Sequence, residues 1–372
     1  MTRPALFAPI TLGRLSLPNR IVASPMCQYS ALEGTPGAWH QMHIGNLAVS
    51  GVGLVLLEAA GVSPEGRITP HCLGLYSDEN EAALKSIIAG VRTYSSTLIG
   101  IQIAHAGRKA SSAAPWHGGQ LLPAAEGGWK PVAPSAIAHK DGEAAPHALT
   151  LDEIAKVRGD FVQAAQRAVR AGIQAIELHA AHGYLLHQFL SPLANQRTDQ
   201  YGGSLKNRMR LVLEVFDDVR ASLPANVPLG IRVSATDWAE GGWDLSGTLE
   251  LAAHLRERAC DWIDVSSGGL SQHQKIELRP GYQLPLAQAV RESSGLPVIG
   301  VGLITEPAQA EAAIAEGQAD LVALARALLW DPRWPWRAAV ALGGELQAPE
   351  QYWRCQPQGV TTVFTGARTG GR

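Results

Sequence analysis

Residues 175–184 read AIELHAAHGY and hold, within one short segment, the pattern from which the fold of this chain follows. The segment opens with a short apolar run, and reactive side chains follow that run directly. Short apolar runs bounded by polar residues are typical of buried β-strands. The segment therefore predicts a buried strand, 175–179, with polar chemistry at its carboxyl end.

The same arrangement recurs along the chain, and each apolar run precedes a longer amphipathic segment. The predicted strands are 20–24, 53–59, 98–103, 175–179, 229–234, 262–266, 297–301 and 320–325. The predicted helices are 39–50, 79–92, 151–171, 207–223, 246–259, 282–293, 306–316 and 332–342. Strands that alternate with helices predict a parallel sheet covered by helices, and eight units favour a closed (β/α)8 TIM barrel. The alternative is two Rossmann-like halves, but no GxGxxG motif opens a helix after a strand.

We predict an α/β chain with one domain. Residues 1–346 form the barrel, and 347–372 form a C-terminal tail. Residues 110–150, rich in Pro, Gly, Ala and Trp, form a long loop after strand three. Such a loop covers substrate at the catalytic face of a barrel or is a solvated insertion. The tail carries the bulky residues Tyr352 and Trp353, which predicts that it docks on another surface, such as a neighbouring subunit.

Composition excludes several classes of protein. The 372 residues carry a net charge of −2, with 46% hydrophobic and 17% charged residues, as expected for a globular chain. This balance gives no sign of a nucleic-acid or membrane partner. The apolar stretch 51–62 is interrupted by Glu58 and is too short to span a bilayer. Four cysteines without CxxC spacing suggest reduced thiols, and we predict a cytoplasmic enzyme.

Chemistry in a barrel belongs to the carboxyl ends of its strands. After strands seven and eight, Gly300 and Gly302 allow backbone N–H groups to approach an anion, and Arg326 adds a forked positive donor. These residues predict a phosphate site; the alternative is that the glycines serve only a tight turn. Gln102 lies at the end of strand three and Arg232 at the end of strand five. The Gln102 amide can both donate to and accept from an imide-like ring edge, and the Arg232 guanidinium can stabilise negative charge on that ring.

Two interpretations of the closely spaced His179 and His182 remain open. They are metal ligands, with Glu177 as a third, or hydrogen-bond donors to a substrate oxygen. Tyr184 is a candidate proton donor, because a phenol is weakly acidic yet neutral at neutral pH. Cys27, at the end of strand one, is a structural thiol or a cofactor contact.

Several motif blocks, in this order, resemble those of the old yellow enzyme family. The blocks include 24–29 (SPMCQY), 102–109 (QIAHAGRK), 179–184 (HAAHGY), 232–234 (RVS) and 325–326 (AR). The resemblance runs from Leu6 to Arg354 and is closest to the subgroup of thermophilic-like ene-reductases and xenobiotic reductases. Because many motif blocks occur in the same order, the resemblance is specific to this family.

The resemblance implies an NADPH dehydrogenase or ene-reductase. Tightly but non-covalently bound FMN would take hydride from NADPH or NADH, and flavin N5 would pass it to an activated alkene, such as an enone, a maleimide or a nitro compound. Tyr184 would supply the proton, and no metal would take part. The resemblance implies a homodimer or homotetramer, in which Arg354 reaches a neighbouring subunit's active site. A metal-dependent lyase or hydrolase, and a flavoprotein without turnover, remain the alternatives.

The resemblance also assigns roles to individual residues, and it gives Cys27 the task of tuning the flavin potential. The implied FMN contacts are Ser24, Pro25, Met26, Cys27, Ala59, Gln102, Arg232, Gly302, Ala325 and Arg326. The implied substrate contacts are Tyr29, His179, His182, Tyr184, Trp353 and Arg354.

Overall fold

A computed structural model describes residues 3–360 and 362–367, so residues 361 and 368–372 of the predicted tail lie outside the described part of the chain. Eight parallel strands close into a barrel, each paired with its neighbours in sequence, which confirms the predicted fold class. The strands are β1 (Ile21–Ala23), β2 (Leu54–Gly61), β3 (Leu98–Ala104), β4 (Ala175–Ala180), β5 (Leu229–Ser234), β6 (Trp262–Ser266), β7 (Val298–Gly300) and β8 (Leu321–Leu324).

Helices surround the barrel, and their apolar faces pack against the outer side of the strands. They are α1 (Ala38–Ala48), α2 (Asp78–Arg92), α3 (Leu151–Arg170), α4 (Leu185–Leu190), α5 (Leu205–Ser222), α6 (Leu245–Glu257), α7 (Leu284–Ser294), α8 (Pro307–Ala315), α9 (Arg326–Trp330) and α10 (Trp334–Leu342). The short helices α4 and α9 were not predicted, because they are too short to show a helical period. Of the described helices, none is long and apolar enough to cross a bilayer.

A hairpin that the sequence did not predict closes the amino-terminal end of the barrel. Its strands, Ile10–Leu12 and Leu15–Leu17, are each three residues long, too short to give a periodic pattern. Leu12 and Leu17 are buried with interior residues of the barrel, including Trp262. A side chain at Gly13 in the turn would meet Asp261 and Pro228, at the start of β6 and β5. The opposite, carboxyl end therefore remains as the open face.

The long loop lies between β3 and α3, as predicted. It contains single turns of 3-10 helix and two short paired strands, Val132–Ala133 and His147–Ala148. Trp129 ties the loop to the segment after β2: its Nε1 donates to the Glu65 carbonyl oxygen at 2.9 Å, and the Arg67 guanidinium lies 5.3 Å from its ring. The loop is thus anchored beside the open face of the barrel.

The described part of the tail packs against its own barrel. Residues Glu350–Cys355 form a short 3-10 helix, in which the Tyr352 ring lies 5.6 Å from the Trp336 ring of α10. Trp353 Nε1 donates to the Ala348 carbonyl oxygen at 3.1 Å, and Arg354 is exposed. Phe364, further along the tail, is buried. Docking of the tail on a neighbouring subunit stays a prediction.

Candidate active site

Inward-facing residues of β3 to β6 form stacked polar layers that lead up the barrel axis to the open face. Residues in register on neighbouring strands lie at the same height, and alternate residues along a strand share a face. The lowest layer contains Gln102, Glu177, Gly230 and Trp262; the next contains His179, Arg232 and Asp264; the top layer contains Ser234 and Ser266.

Glu177 joins the lowest layer through both of its carboxyl oxygens. Gln102 Nε2 lies 2.9 Å from Oε1, and Trp262 Nε1 lies 3.0 Å from Oε2. Only glycine fits at position 230, since a Cβ there would overlap the Trp262 indole. Burial raises the pKa of Glu177 to about 8, and the negative charge of Asp264 adds to this effect. Glu177 thus orients the Gln102 amide and does not turn toward the histidine pair as a third ligand.

Arg232 is the buried cation of the second layer. Its Nη1 donates to Ser24 Oγ at 3.1 Å, and its Nε lies 3.4 Å from Asp264 Oδ2. Arg232 Nε and both carboxyl oxygens of Asp264 are buried without a hydrogen-bond partner among the described residues. Arg232 therefore holds a positive charge close to the barrel axis, and its Nε–H is a hydrogen-bond donor that no described protein atom accepts.

His179, His182 and Tyr184 come together where β4 ends. The two imidazole rings lie 5.1 Å apart at 88°, and the Tyr184 ring lies 4.8 Å from His179. Burial lowers the pKa of both histidines well below the usual value, and the charge of Arg232 lowers it further. The Ala181 N–H donates to His179 Nδ1 at 3.3 Å, so the ring proton of the neutral imidazole lies on Nε2. The pair is therefore neutral near pH 7.

Hydrogen bonds from neighbouring strands and loops fix the backbone of residues 179–184, which carry His179, His182 and Tyr184. His182 has a left-handed φ of 57°, and its N–H donates to Ser234 Oγ at 2.9 Å. Lys109 Nζ donates to the His182 carbonyl oxygen at 2.8 Å and lies 5.0 Å from the Tyr184 ring centre. Burial, and then the nearby positive charge of Arg108, lowers the pKa of Lys109 to about 8. Sequence reasoning assigned no role to Lys109, although it belongs to the block after strand three.

A buried contact between His187 and the Asp237 side chain supports this segment. The Gly183 N–H donates to His187 Nδ1 at 2.9 Å, and His187 Nε2 lies 2.8 Å from Asp237 Oδ1. Ser191 Oγ donates to the second carboxyl oxygen of Asp237 at 2.6 Å. These residues were missed, because His187 lies in the unpredicted helix α4. The arrangement fixes the position of Tyr184 relative to the two histidines.

Of the predicted phosphate residues, Gly302, Ala325 and Arg326 line one cavity of about 690 Å³ at the open face. Gly300 does not line this cavity: it ends β7, where a Cβ would lie against Ala319 and Leu284 of the surrounding core. Gly302 has a φ of 122°, and a Cβ there would lie 2.8 Å from Gln283 Nε2, so glycine is required. The cavity volume lies in the range of small-molecule sites. Together with the Gln102 amide and the unused donor of Arg232, these residues fit a flavin mononucleotide, which has an anionic phosphate and a polar ring edge.

Residues 24–29, after β1, form another wall of the site. Ser24 is buried, Pro25 and Met26 are half-buried, and the Gln28 N–H donates to Glu58 Oε2 at 3.0 Å. Glu58 in turn lies 3.3 Å from His40 Nε2, and Ala59 beside it is buried. This contact holds the end of β1 against β2.

Tyr29 and Cys27 have neighbours that the sequence did not indicate. Tyr29 has a φ of 51°, and its ring packs edge-on against Trp116 of the long loop at 5.4 Å. The influence of the Cys72 thiol, followed by burial, raises the pKa of Cys27 well above its usual value. The sequence did not indicate this influence of Cys72.

Two predicted substrate contacts, Trp353 and Arg354, do not join the histidine pair within this chain. They lie on the tail beside α10, as described above, and their assignment to a neighbour's pocket stays a prediction. Across residues 3–360 and 362–367, no group of three or more His, Cys, Asp or Glu side chains is arranged to hold a metal ion.

Comparison with known proteins agrees with this geometry. Residues 5–344 match the model of the NADH:flavin oxidoreductase / NADH oxidase family. An NADPH dehydrogenase of Geobacillus thermodenitrificans is 42% identical over 351 residues, which cover 94% of this chain and 98% of that protein. An NADPH dehydrogenase of Bacillus subtilis has the same identity and coverage.

A solved structure supports the same relationship. Morphinone reductase in complex with tetrahydroNAD superposes with a TM-score of 0.75 at 31% identity, and the match covers 93% of each chain. Sequence and structure thus agree with the resemblance to old yellow enzymes and with FMN and NAD(P)H as the cofactors. The chain belongs to the NADH:flavin oxidoreductase / NADH oxidase family and is a flavin-dependent oxidoreductase that uses NAD(P)H.

Proposed function

We propose that this enzyme reduces the C=C bond of activated alkenes, such as enones, maleimides and nitroalkenes. The observation that carries the proposal is the neutral pair of buried imidazoles beside Tyr184 at the open face of the barrel.

When bound, FMN supplies the hydride that NAD(P)H delivers to the enzyme. Gln102, Arg232 and Ser24 would hold its ring system, with Pro25, Met26, Cys27 and Ala59 around it, and Gly302, Ala325 and Arg326 would hold its phosphate.

The histidine pair binds the oxygen of the substrate's activating group. Two neutral N–H donors that are already buried and oriented stabilise the negative charge that develops on this oxygen, without reorganisation of water. His179 is set for this task, since its Nδ1 accepts a backbone N–H and its Nε2 carries the proton. The same contact draws electron density from the β-carbon, which makes that carbon the hydride acceptor.

Tyr184 supplies the proton to the α-carbon. Burial raises the pKa of its phenol well above the usual value, so the group stays protonated across the neutral range. The Lys109 ammonium, 5.0 Å from the ring centre, stabilises the phenolate that remains after proton transfer. Tyr29, whose ring packs against Trp116 of the long loop, would contact the substrate on that side of the site.

The names of relatives support a nicotinamide donor and a small organic acceptor. The relatives named NADPH dehydrogenase favour NADPH, and morphinone reductase has been solved with tetrahydroNAD. We infer that NADPH or NADH and the alkene bind in turn over the same histidine pair, because the nicotinamide presents its carboxamide oxygen to the pair and the alkene presents the oxygen of its carbonyl or nitro group.

The proposal is tested by reducing the purified holoenzyme anaerobically with NADPH or NADH and then adding a panel of enones, maleimides and nitroalkenes. We expect bleaching of the flavin absorbance by the nicotinamide and its recovery with each acceptor, together with the saturated product. A yellow protein that NAD(P)H does not bleach would indicate a flavoprotein without turnover. A colourless protein with stoichiometric zinc would indicate the metal-dependent alternative.

Ser266 is expected to set the proton position on His182. Its Oγ lies 2.7 Å from His182 Nε2 and 3.3 Å from Gln283 Oε1, and Ser267 Oγ donates to the same Gln283 oxygen at 2.6 Å. If Ser266 donates to Nε2, the ring proton of His182 lies on Nδ1. We expect Ser266→Ala to lower enone kcat/KM about tenfold, which corresponds to the loss of about 1.4 kcal/mol of transition-state stabilisation.

The measurement is steady-state kinetics together with ¹⁵N chemical shifts of the His182 ring, which report the tautomer directly. Ser267→Ala is the matched control, since it removes a neighbouring hydroxyl that does not contact the histidine. Unchanged ring shifts in Ser266→Ala would show that Ser266 does not select the tautomer.

Cys27 is expected to tune the flavin and not to attack substrate, because its raised pKa keeps the thiol protonated. We expect Cys27→Ala to retain FMN and turnover, with the flavin reduction potential shifted by about 30 mV, equivalent to about 1.4 kcal/mol for two electrons. Spectroelectrochemical titration measures the shift, and Cys355→Ser, on the exposed tail, is the control. Complete loss of turnover with FMN still bound would instead identify an essential thiol.

We propose a homo-oligomer in which Arg354 and Trp353 approach the substrate pocket of a neighbouring subunit. Deletion of the tail would also remove the buried Phe364, so substitutions give the clearer test. We expect Arg354→Ala to raise the KM for enones about tenfold, equivalent to about 1.4 kcal/mol of binding, with unchanged FMN content. Arg14→Ala, at another exposed site, is the control. Sedimentation as a monomer with unchanged kinetics would contradict the proposal.

A further inference from the structure

The turn that carries His182, residues 181–184, packs directly on a second turn, residues 268–270, which follows β6. A Cβ on Gly183 would overlap the Gly269 carbonyl oxygen, and a Cβ on Gly269 would lie 2.7 Å from His182 Cα. This distance is well below the optimal separation of two carbon atoms. The two turns therefore touch backbone to backbone, and only glycine allows so close an approach at these two positions.

Ser234, the last residue of β5, joins the same two turns through its side chain. It is fully buried. Its Oγ accepts the His182 N–H at 2.9 Å and donates to the Gly268 carbonyl oxygen at 2.9 Å. The single proton of the hydroxyl is thus committed to the carbonyl oxygen, and one of its lone pairs is committed to the N–H. Ser234 therefore ties the backbone of His182 to the turn after β6.

The turn after β6 is itself fixed by side chains from other segments. Arg108 Nη2 donates to the Leu270 carbonyl oxygen at 2.9 Å, and Lys109 Nζ donates to the Gly269 carbonyl oxygen at 3.1 Å. The Gly269 N–H donates to Gln274 Oε1 at 2.7 Å. The surface that meets the histidine turn is therefore held in place by hydrogen bonds to three consecutive residues, of which the Ser234 bond is the first.

The backbone conformation of His182 explains why such support is needed. Its φ of 57° lies in the left-handed region, which is unfavourable for a residue with a side chain. Such a conformation persists where the surrounding structure over-determines it, and residues of this kind cluster at active sites. The Ser234 bridge and the glycine contact supply this constraint to the residue whose imidazole lies 5.1 Å from that of His179.

We propose that Ser234 is a positioning residue for the reaction: it holds His182 in its left-handed conformation against the turn 268–270 and so sets the spacing of the two imidazoles. The proposal rests on the function proposed above, in which these imidazoles bind the substrate's activating oxygen. Ser234 acts through the main chain of His182, whereas Ser266 contacts the imidazole ring itself. The two serines therefore have separate tasks, one on the place of the ring and the other on its tautomer.

Ser234→Ala tests the proposal, because it leaves the His182 N–H and the Gly268 carbonyl oxygen without their partner. The measurements are the ¹⁵N shifts of the His182 ring in the oxidised holoenzyme, the affinity for phenol, and enone kinetics. We expect the ring shifts to change, because a displaced ring alters its contact with Ser266 Oγ. Phenol binding should weaken about tenfold and enone kcat should fall about 10–100-fold with a smaller change in KM, because misplacement of a reacting group by about 1 Å costs up to about 10²-fold in rate.

Ser294→Ala is the matched control, since Ser294 is a buried serine with the same pattern of hydrogen bonds. Its Oγ donates to the Val290 carbonyl oxygen at 2.7 Å and accepts the Leu296 N–H at 3.2 Å. It ends α7, just before the amino-terminal end of β7 and opposite the open face. We expect Ser294→Ala to lower the melting temperature without a change in the His182 ring shifts or in phenol affinity.

Gly269→Ala tests the same contact from the other side, with Ser234 intact, and decides the proposal if Ser234→Ala does not fold. Its Cβ would press on His182 Cα, so the ring shifts and phenol affinity should change as in Ser234→Ala. Gly203→Ala is the control for backbone strain: Gly203 has a φ of 76°, against 89° for Gly269, but its Cβ would meet no neighbouring atom. We expect wild-type ring shifts in Gly203→Ala.

Wild-type ring shifts and phenol affinity in Ser234→Ala, with a lowered melting temperature, would overturn the proposal, since the hydroxyl would then serve stability alone. Equal changes in Ser294→Ala, or none in Gly269→Ala, would overturn it as well. The ring shifts are measured without substrate, so they decide the role of Ser234 independently of turnover. A wild-type enzyme that reduces no enone would contradict the proposed function only.

Discussion

His182→Ala is expected to lower the rate of enone reduction about 10²–10³-fold, the range measured when one donor to a developing oxyanion is removed. The substitution deletes one of the two buried imidazoles, which lie 5.1 Å apart. His179 alone then supports the substrate oxygen. Stopped-flow reoxidation of the pre-reduced enzyme by cyclohexenone isolates this step from reduction by NADPH.

Phenol binding gives a second readout that does not depend on turnover. A phenolate bound to the histidine pair above oxidised FMN should produce a long-wavelength charge-transfer band, and His182→Ala should weaken phenol binding in parallel with turnover. His254→Ala, on the outer helix α6, is the matched control and should change neither property. Intact phenol affinity together with intact enone turnover in His182→Ala would show that the assigned role is wrong.

Arg232→Met is expected to be the most destabilising substitution in the site. It leaves the fully buried Asp264 without its counter-charge, and breaking a buried pair in this way costs about 3–5 kcal/mol of unfolding free energy. The loss of positive charge beside the ring site should also lower the flavin reduction potential by at least about 30 mV. Chemical denaturation and spectroelectrochemical titration measure the two effects separately.

The loss of stability in Arg232→Met should become larger as the pH rises. Burial raises the pKa of Asp264 above its unfolded value, although Arg232 opposes this, so folding takes up protons and the unfolding free energy falls as pH rises through the folded-state pKa. Without Arg232 that pKa rises further, so the deficit of Arg232→Met should grow as the pH rises above the usual pKa of an aspartate.

The double substitution Arg232→Met with Asp264→Asn tests the cause. It removes the unpaired charge and should recover most of the lost stability at the higher pH, while the flavin potential stays low because the guanidinium is still absent. Equal stability loss in the single and double variants would show that packing, and not the charge on Asp264, is responsible.

Much of this protein follows from local sequence pattern. Short apolar runs alternating with amphipathic segments specify strands and helices, because each element must bury one face or stripe. Eight such units lead to the closed barrel, and the carboxyl ends of its strands bring His179, Arg232 and Gly302 to one face. That grouping needs only the parallel direction of the strands, which is why it could be predicted.

The register of the strands and the paths of the loops decided the rest. Register places Trp262 against Gly230 and Asp264 beside Arg232, and no single segment records these pairings. The hydrogen bonds of Lys109 Nζ to the His182 carbonyl oxygen and of the Gln28 N–H to Glu58 Oε2 join segments that are distant in the sequence. Such contacts depend on where the backbone runs after each strand ends, and periodicity carries no information about that path. The barrel and its catalytic face were therefore determined by sequence alone, whereas only the tertiary structure decided which side chains support, charge and pair with the reactive ones.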